Sequence, residues 1–334
     1  MQEKHITLAH GNGGRFMREL IEQLFAQHLA SPALDTHTDA AHVPLPVGEV
    51  LFTTDGFTVK PLEFPGGDIG SLSVHGTCND IAVAGGDPLY LTLNAFIEEG
   101  MPLKQLERLV MSIGAAARES GVQIVAGDTK VLPHGEGSGV YFATSGLGIR
   151  PSGVRLGMEH IREGDRILVS GPVGDHGVCV MLAREEFGMR GDLFSDAASV
   201  LPLTRSIRDL PGVRFMRDPT RGGLATVCHE IVQTTGMEIV LDGPAIPVRD
   251  PVQAVCEMLG YDPLFLACEG RVVTIVDPGT ADPVLERWRQ LPQGLEATVV
   301  GQLAAGKPRV VIETELGGRR ILEELQDDPL PRIC

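Results

Sequence analysis

Cys78-Asn79-Asp80-Ile81-Ala82-Val83-Ala84-Gly85-Gly86-Asp87-Pro88-Leu89-Tyr90-Leu91-Thr92 is the stretch whose reading sets the architecture. It predicts a helix that begins near Gly70, stops at the Gly-Gly-Asp-Pro break and gives way to a strand over 89–96. Paired glycines followed by proline end one element and turn the chain into the next. Downstream, Pro102 opens an amphipathic helix with Leu103, Leu106, Leu109, Val110, Ile113 and Ala117 on one face. Strands over 122–126 and 140–149 follow it. Upstream, 50–54 is a short apolar strand that runs into Asp55-Gly56, and a helical pattern over 16–25 follows a glycine-rich start.

From about residue 155 the alternation begins again. Strand 166–170 leads through Gly171-Pro172-Val173-Gly174-Asp175-His176-Gly177 into helix 178–187. Helices over 221–234, 251–259 and 282–291 alternate with strands over 238–241, 272–276, 297–303 and 309–314. Strand and helix alternating in both halves predict an α/β or α+β protein with two layers per domain. The expected division is 1–154, 155–322 and a mobile tail over 323–334, whose two prolines and absent periodicity give it no packing pattern.

Composition narrows the function. The formal net charge of −16 argues against a nucleic-acid backbone or an anionic membrane as partner. A nucleotide stays open, because Mg²⁺ bridges carboxylates to phosphates. No secretory h-region and no apolar run of about 18 residues occurs, so the expected location is the cytoplasm. Aromatics make up only 4%, so the core must rest on aliphatic residues. The six cysteines form no C-x-x-C pair, and the internal ones read as reduced, buried small hydrophobes. Cys334 differs in being the last residue.

Acidic residues recur where apolar segments meet Gly, Thr or Asn: Thr53-Thr54-Asp55-Gly56, Cys78-Asn79-Asp80, Gly127-Asp128-Thr129-Lys130 and Asp218-Pro219-Thr220-Arg221-Gly222-Gly223. Each aspartate alone can be a turn or N-cap residue. Together, on strand ends, they can converge on a metal–nucleotide pocket. His10-Gly11-Asn12-Gly13-Gly14 can cradle phosphates through backbone N–H groups or be a plain terminal loop; it matches neither the Walker A spacing nor G-x-G-x-x-G.

In order, a Gly-rich start, T-T-D, N-D-I-A-x-x-G-G, G-D-T and D-x-T-R-G-G-L resemble the ATP-binding superfamily of aminoimidazole ribonucleotide synthetase, selenophosphate synthetase and thiamine monophosphate kinase. With the ending Pro329-Leu330-Pro331-Arg332-Ile333-Cys334, the sequence is most similar to the hydrogenase maturation factor family HypE. The resemblance implies a two-domain architecture of the aminoimidazole ribonucleotide synthetase type and a homodimer paired through the N-terminal domains. It implies ATP and Mg²⁺, with Asp55, Asp80, Asp128 and Asp218 as the metal carboxylates. Gly11, Asn12, Gly13, Gly14, Thr54, Asn79, Gly127, Thr129, Lys130 and Arg221 match nucleotide-binding positions. Glu269 and His229 match polar positions near the reacting tail. The implied partners are the carbamoyltransferase HypF, which loads the cysteine, and the HypC–HypD scaffold, which receives cyanide for nickel–iron hydrogenase.

Chemistry fits this reading. A thiolate accepts acyl-type groups, and twelve extended residues reach about 40 Å, enough to enter a distant site. The expected reaction turns S-carbamoyl-Cys334 into S-cyanocysteine with ATP, Glu269 being the first candidate for the base and His229 the second. Two alternatives stay open: a small-molecule phosphotransferase of the same superfamily, which has no need of Cys334, and a non-catalytic carrier that binds ATP only to control docking.

Overall fold

The computed structural model describes residues 4–12, 14–36, 40–184 and 191–325. The described residues divide into two units: one holds those up to Ile81 and Gly86–Arg150, the other Ala82–Gly85 and those from Pro151 to residue 325. Gly13 and the tail beyond residue 325, including Cys334, lie outside the described residues. Among the described residues no helix is long and apolar enough to cross a membrane.

The first unit contains α1 (Arg15–Leu20), β1 (Glu49–Phe57), α2 (Ile69–Val83) except its last two residues, β2 (Asp87–Glu98), α3 (Leu103–Ser120), β3 (Gln123–Leu132) and β4 (Val140–Arg150). Its sheet has the order β1-β4-β2-β3, with β2 and β3 parallel and the other pairs antiparallel. The expected face of α3 is formed: Leu106, Leu109, Val110, Ile113 and Ala117 are buried. Gly121 ends that helix in the left-handed region at φ 68°, its N–H returning to the carbonyls of Ala117 and Arg118. The expected first helix over 16–25 is broken, since α1 passes at Ile21–Phe25 into a π-turn.

Helix α2 is buried nearly all round. Small residues allow this. A Cβ on Gly70 would stand 2.4 Å from the Leu109 carbonyl oxygen of α3, and one on Gly76 2.8 Å from the Phe57 ring of β1. The helices α2 and α3 cover one face of the sheet. The other carries Phe52, which is 71% exposed, with Val50 and Phe96.

The second unit contains β5 (Arg166–Val169), α4 (Asp175–Ala183), α5 (Leu201–Ile207), β6 (Val213–Arg217), α6 (Gly223–Thr235), β7 (Glu238–Asp242), α7 (Asp250–Leu259), β8 (Val273–Val276), α8 (Ala281–Trp288), β9 (Thr298–Ala304), β10 (Arg309–Glu313) and β11 (Arg319–Leu322). Its seven-stranded sheet has the order β11-β10-β7-β9-β5-β8-β6, mixed but mainly antiparallel. Strands β6 and β11 and helix α5 are elements that periodicity left unmarked.

This unit corrects the expectation of two layers. Ile167, Val169, Val273 and Ile275 pack with α6 on one face, while Leu168, Val272 and Val276 pack with α5 and α8 on the other. Strands covered on both sides are apolar at successive positions, as Val272, Val273, Ile275 and Val276 are, and the one polar residue among them, Thr274, is buried with its hydroxyl donating to the Phe215 carbonyl.

Candidate functional site

In the first unit, β1 and α2 bring two of the expected carboxylates together. Thr53 and Asp55 alternate onto the helix-covered face of β1. There Thr53 Oγ1 donates to Asp80 Oδ2 at 2.8 Å. Gly76 lies one turn before Asp80, and a Cβ there would come 3.7 Å from Asp55 Oδ2. Asn79, on the same helix, is buried. Asp80 could not meet β1 without the close approach that Gly76 permits.

The G-D-T segment is divided between the two faces. Asp55 pairs with Thr144 on β4, and Thr144 with Leu93 on β2, all on the helix side. Asp128 pairs with Asn94, in the adjacent row, and therefore points to the open face. Its Oδ2 lies 3.1 Å from Lys130 Nζ, both side chains being more than half exposed, so the pair adds little stability. Thr54 shares that face, accepting from Ser145 Oγ at 3.1 Å. Thr129 is buried on the other. Gly127 is required by a close strand approach, since a Cβ would stand 2.4 Å from the Leu93 carbonyl oxygen.

Beside this segment lies a cavity of about 200 Å³, lined by Phe25, Leu34, Ala40, Ala41 and Gly127 to Thr129. The glycine-rich start passes over β3: a Cβ on Gly11 would stand 3.0 Å from Val131. His10 anchors it, buried with its ring 5.5 Å from that of Phe16 and its Nδ1 accepting from the Thr7 N–H at 3.1 Å. Asn12 and Gly14 flank the anchored turn.

In the second unit the D-P-T-R-G-G motif leads into α6. Gly222 and Gly223 take φ 65° and 60°, a conformation that strains any residue with a Cβ. At Gly223 a Cβ would also stand 2.5 Å and 2.6 Å from the carbonyl oxygens of Leu264 and Leu266. Asp218 is buried and Arg221 exposed, just before the helix N-terminus. The Cys268 N–H donates to the Pro219 carbonyl at 3.0 Å, so the Ala267-Cys268-Glu269-Gly270 segment lies against this motif. Glu269 is 4% exposed.

Burial pushes the thiols of Cys78 and Cys228 up to about 12 and those of Cys179 and Cys256 up to about 11. Cys268 is driven well above the thiol range for the same reason, so none of the five is a ready nucleophile.

His229 is placed elsewhere on α6. Its ring donates to the Leu322 backbone. Burial lowers its pKa, opposed by Glu324, Glu323 and that hydrogen bond. A charged cluster missed by the sequence reading is joined to the Glu269 segment through Asp196 and Arg271. Arg271, itself 10% exposed, places Nη2 3.3 Å from Asp175 Oδ2 and Nε 3.4 Å from Asp196 Oδ2. Arg249 Nε reaches Asp175 Oδ2 at 3.0 Å. Burial raises the Asp175 carboxyl, with Asp196 adding to the effect and the two arginines opposing it. No spacing marks these residues, which come from four separate segments. Among the described residues no group of three or more His, Cys, Asp or Glu is arranged to hold a metal ion.

Comparison with known proteins follows the same outline. Residues 37–150 match the family model of the AIR synthase related protein N-terminal domain, and residues 162–313 that of its C-terminal domain. The chain is 47% identical over 331 residues to the carbamoyl dehydratase HypE of Azotobacter vinelandii, covering 98% of this chain and 97% of that one. The crystal structure of a hydrogenase maturation protein HypE in complex with ATP superposes with a TM-score of 0.93 at 40% identity, covering 98% and 99% of the two chains. A HypE taken from a HypE–HypF complex superposes with a TM-score of 0.81 at 41% identity, covering 92% and 99%.

Proposed function

The chain belongs to the HypE family of carbamoyl dehydratases, and from that premise we propose that it uses ATP to dehydrate an S-carbamoyl group on its own Cys334. The product is S-cyanocysteine, a source of cyanide for the iron of nickel–iron hydrogenase. The observation that carries the reading is a match along the chain to a carbamoyl dehydratase together with the sequence Pro331-Arg332-Ile333-Cys334.

The atoms balance without a further reactant. The thiocarbamate oxygen attacks the γ-phosphorus of ATP and displaces ADP. Both N–H protons then leave: a base takes the first, the C–O bond breaks, and the departing phosphate carries off the oxygen and the second proton as hydrogen phosphate while carbon and nitrogen become the nitrile. Glu269 is the proposed base, supported by its burial beside the D-P-T-R-G-G motif. His229 is the second candidate, less favoured because one ring nitrogen is engaged by Leu322.

Asp55 and Asp80, on one face, suit Mg²⁺, which takes one or two carboxylates and completes its shell with phosphate oxygens and water. Bound there, the metal would neutralise charge on the transferred phosphoryl group. Asp128, which faces the opposite side of the sheet from Asp55 and Asp80, and Asp218, in the second unit, are proposed as nucleotide-site carboxylates that do not share the Asp55–Asp80 metal shell of the same chain. Thr54, Lys130, Arg221 and the Gly11–Gly14 loop are proposed phosphate contacts, with Asn79, Gly127 and Thr129 supporting them. The N-terminus of α6 beside Arg221 favours an anion through its free N–H groups and dipole. The cavity lined by Phe25, Ala40 and Ala41 is the proposed seat of the adenine.

A homodimer is proposed through the open face of the first sheet, on the strength of exposed Phe52, Val50 and Phe96. HypF is the proposed carbamoyl donor, since a relative has been solved in a HypE–HypF complex. The HypC–HypD scaffold is the proposed cyanide acceptor, and the proposed location is the cytoplasm. Intact mass spectrometry of the carbamoylated chain, before and after Mg-ATP, tests the function. Loss of one water mapped to Cys334 is expected; a carbamoyl group that persists despite bound ATP would show a carrier instead.

A further inference from the structure

The backbone at Glu269 is gripped by a side chain far away in sequence. Asp196 Oδ1 accepts the Glu269 N–H at 3.1 Å and its Oδ2 the Gly270 N–H at 3.3 Å, so one carboxylate takes two successive amides. The Ala198 N–H returns to the Glu269 carbonyl at 3.4 Å. Gly270 permits this contact, since a Cβ there would overlap the Asp196 carbonyl oxygen at 1.8 Å.

The carboxylate is itself fixed. The Asp196 side chain is fully buried, and Arg271 Nε lies 3.4 Å from it. The same Nε donates to the Pro172 carbonyl at 2.9 Å, and Nη2 reaches Asp175. On the other side of Glu269, Cys268 is tied to Pro219. The segment is therefore held from both ends.

A buried ion pair is seldom worth more to stability than an apolar pair of the same shape. A carboxylate does what an apolar side chain cannot: it fixes two neighbouring peptide groups in direction. We propose that Asp196, fixed by Arg271, is the positioning residue for Glu269 in the dehydration. This inference rests on Glu269 being the proton acceptor. Loss of the carboxylate frees the Glu269 backbone to move, and a displacement of about 1 Å at a reacting group costs about 100-fold in rate.

The test follows single-turnover loss of water from the full carbamoylated chain after Mg-ATP, by intact mass, with ATP affinity measured separately. Asp196→Asn is expected to bind ATP like the wild type and to react about 100-fold more slowly. Added to Glu269→Gln it is expected to slow the reaction no further, because both changes remove the same function. A purely structural role would slow both backgrounds by the same factor, and that result overturns the proposal. So does a wild-type rate in either Asp196→Asn or Glu269→Gln. If Asp196→Asn shows no cooperative melt, Arg271→Lys carries the same test, because it keeps the charge and loses the fork that spans Asp175 and Asp196. A wild-type chain that never loses water would overturn the dehydratase reading along with this one. A normal wild type with an unimpaired Asp196→Asn overturns this one alone.

Discussion

His176 sits just inside α4 with its Nδ1 2.8 Å from Ser195 Oγ. Burial pushes its imidazole from 6.5 down to about 4, with Asp196 opposing the shift. Because the folded value lies below the unfolded one, the unfolded chain binds more protons between the two. The stability tied to neutral His176 is therefore complete above about pH 6.5 and is lost as the pH falls toward 4. The loss is on the order of 3 kcal/mol. Urea unfolding across that range should show a shallower acid limb in His176→Gln than in the wild type. Equal slopes would mean that the histidine is already charged in the fold.

At the scale of elements, α2 and α3 differ in what their sequences expose. Helix α3 places Leu109 fully in the core and leaves Met111 50% exposed, two positions on, as an amphipathic helix must. Leu109→Ala should therefore cost about 3 kcal/mol in urea unfolding, and Met111→Ala less than about 0.5 kcal/mol. Similar losses at both positions would mean that α3 is covered on a second side. Helix α2 offers no such contrast, because its glycines and serines let it be enclosed on all sides. At the other end of the chain, Gln233 of α6 donates to both oxygens of Glu324 at 3.0 and 2.9 Å, and His229 holds the Leu322 backbone. These contacts fix where the last described residues leave the second unit's helix.

For the whole molecule, the open face of the first sheet carries the expectation of a dimer. Phe52→Glu puts a charge in the middle of that face and should reduce the mass seen by light scattering to that of one 35.7 kDa chain, with the fold intact. An unchanged dimer would place the interface elsewhere. The sequence by itself determined the alternation of strand and helix, the core face of α3 and the order of the acidic motifs, because each is written in spacing along one segment. It also set Gly127 and Gly223 inside motifs, but not what they approach, and Gly76 had no mark at all. Only the tertiary structure decided that Asp55 and Asp80 share a face while Asp128 takes the opposite one, since side-chain direction across a sheet depends on register with neighbouring strands. Only it brought Asp196 onto the backbone of Glu269, 73 residues away. No local pattern encodes such a contact: the side chain that holds it and the amides it holds become neighbours only when the core between them has formed.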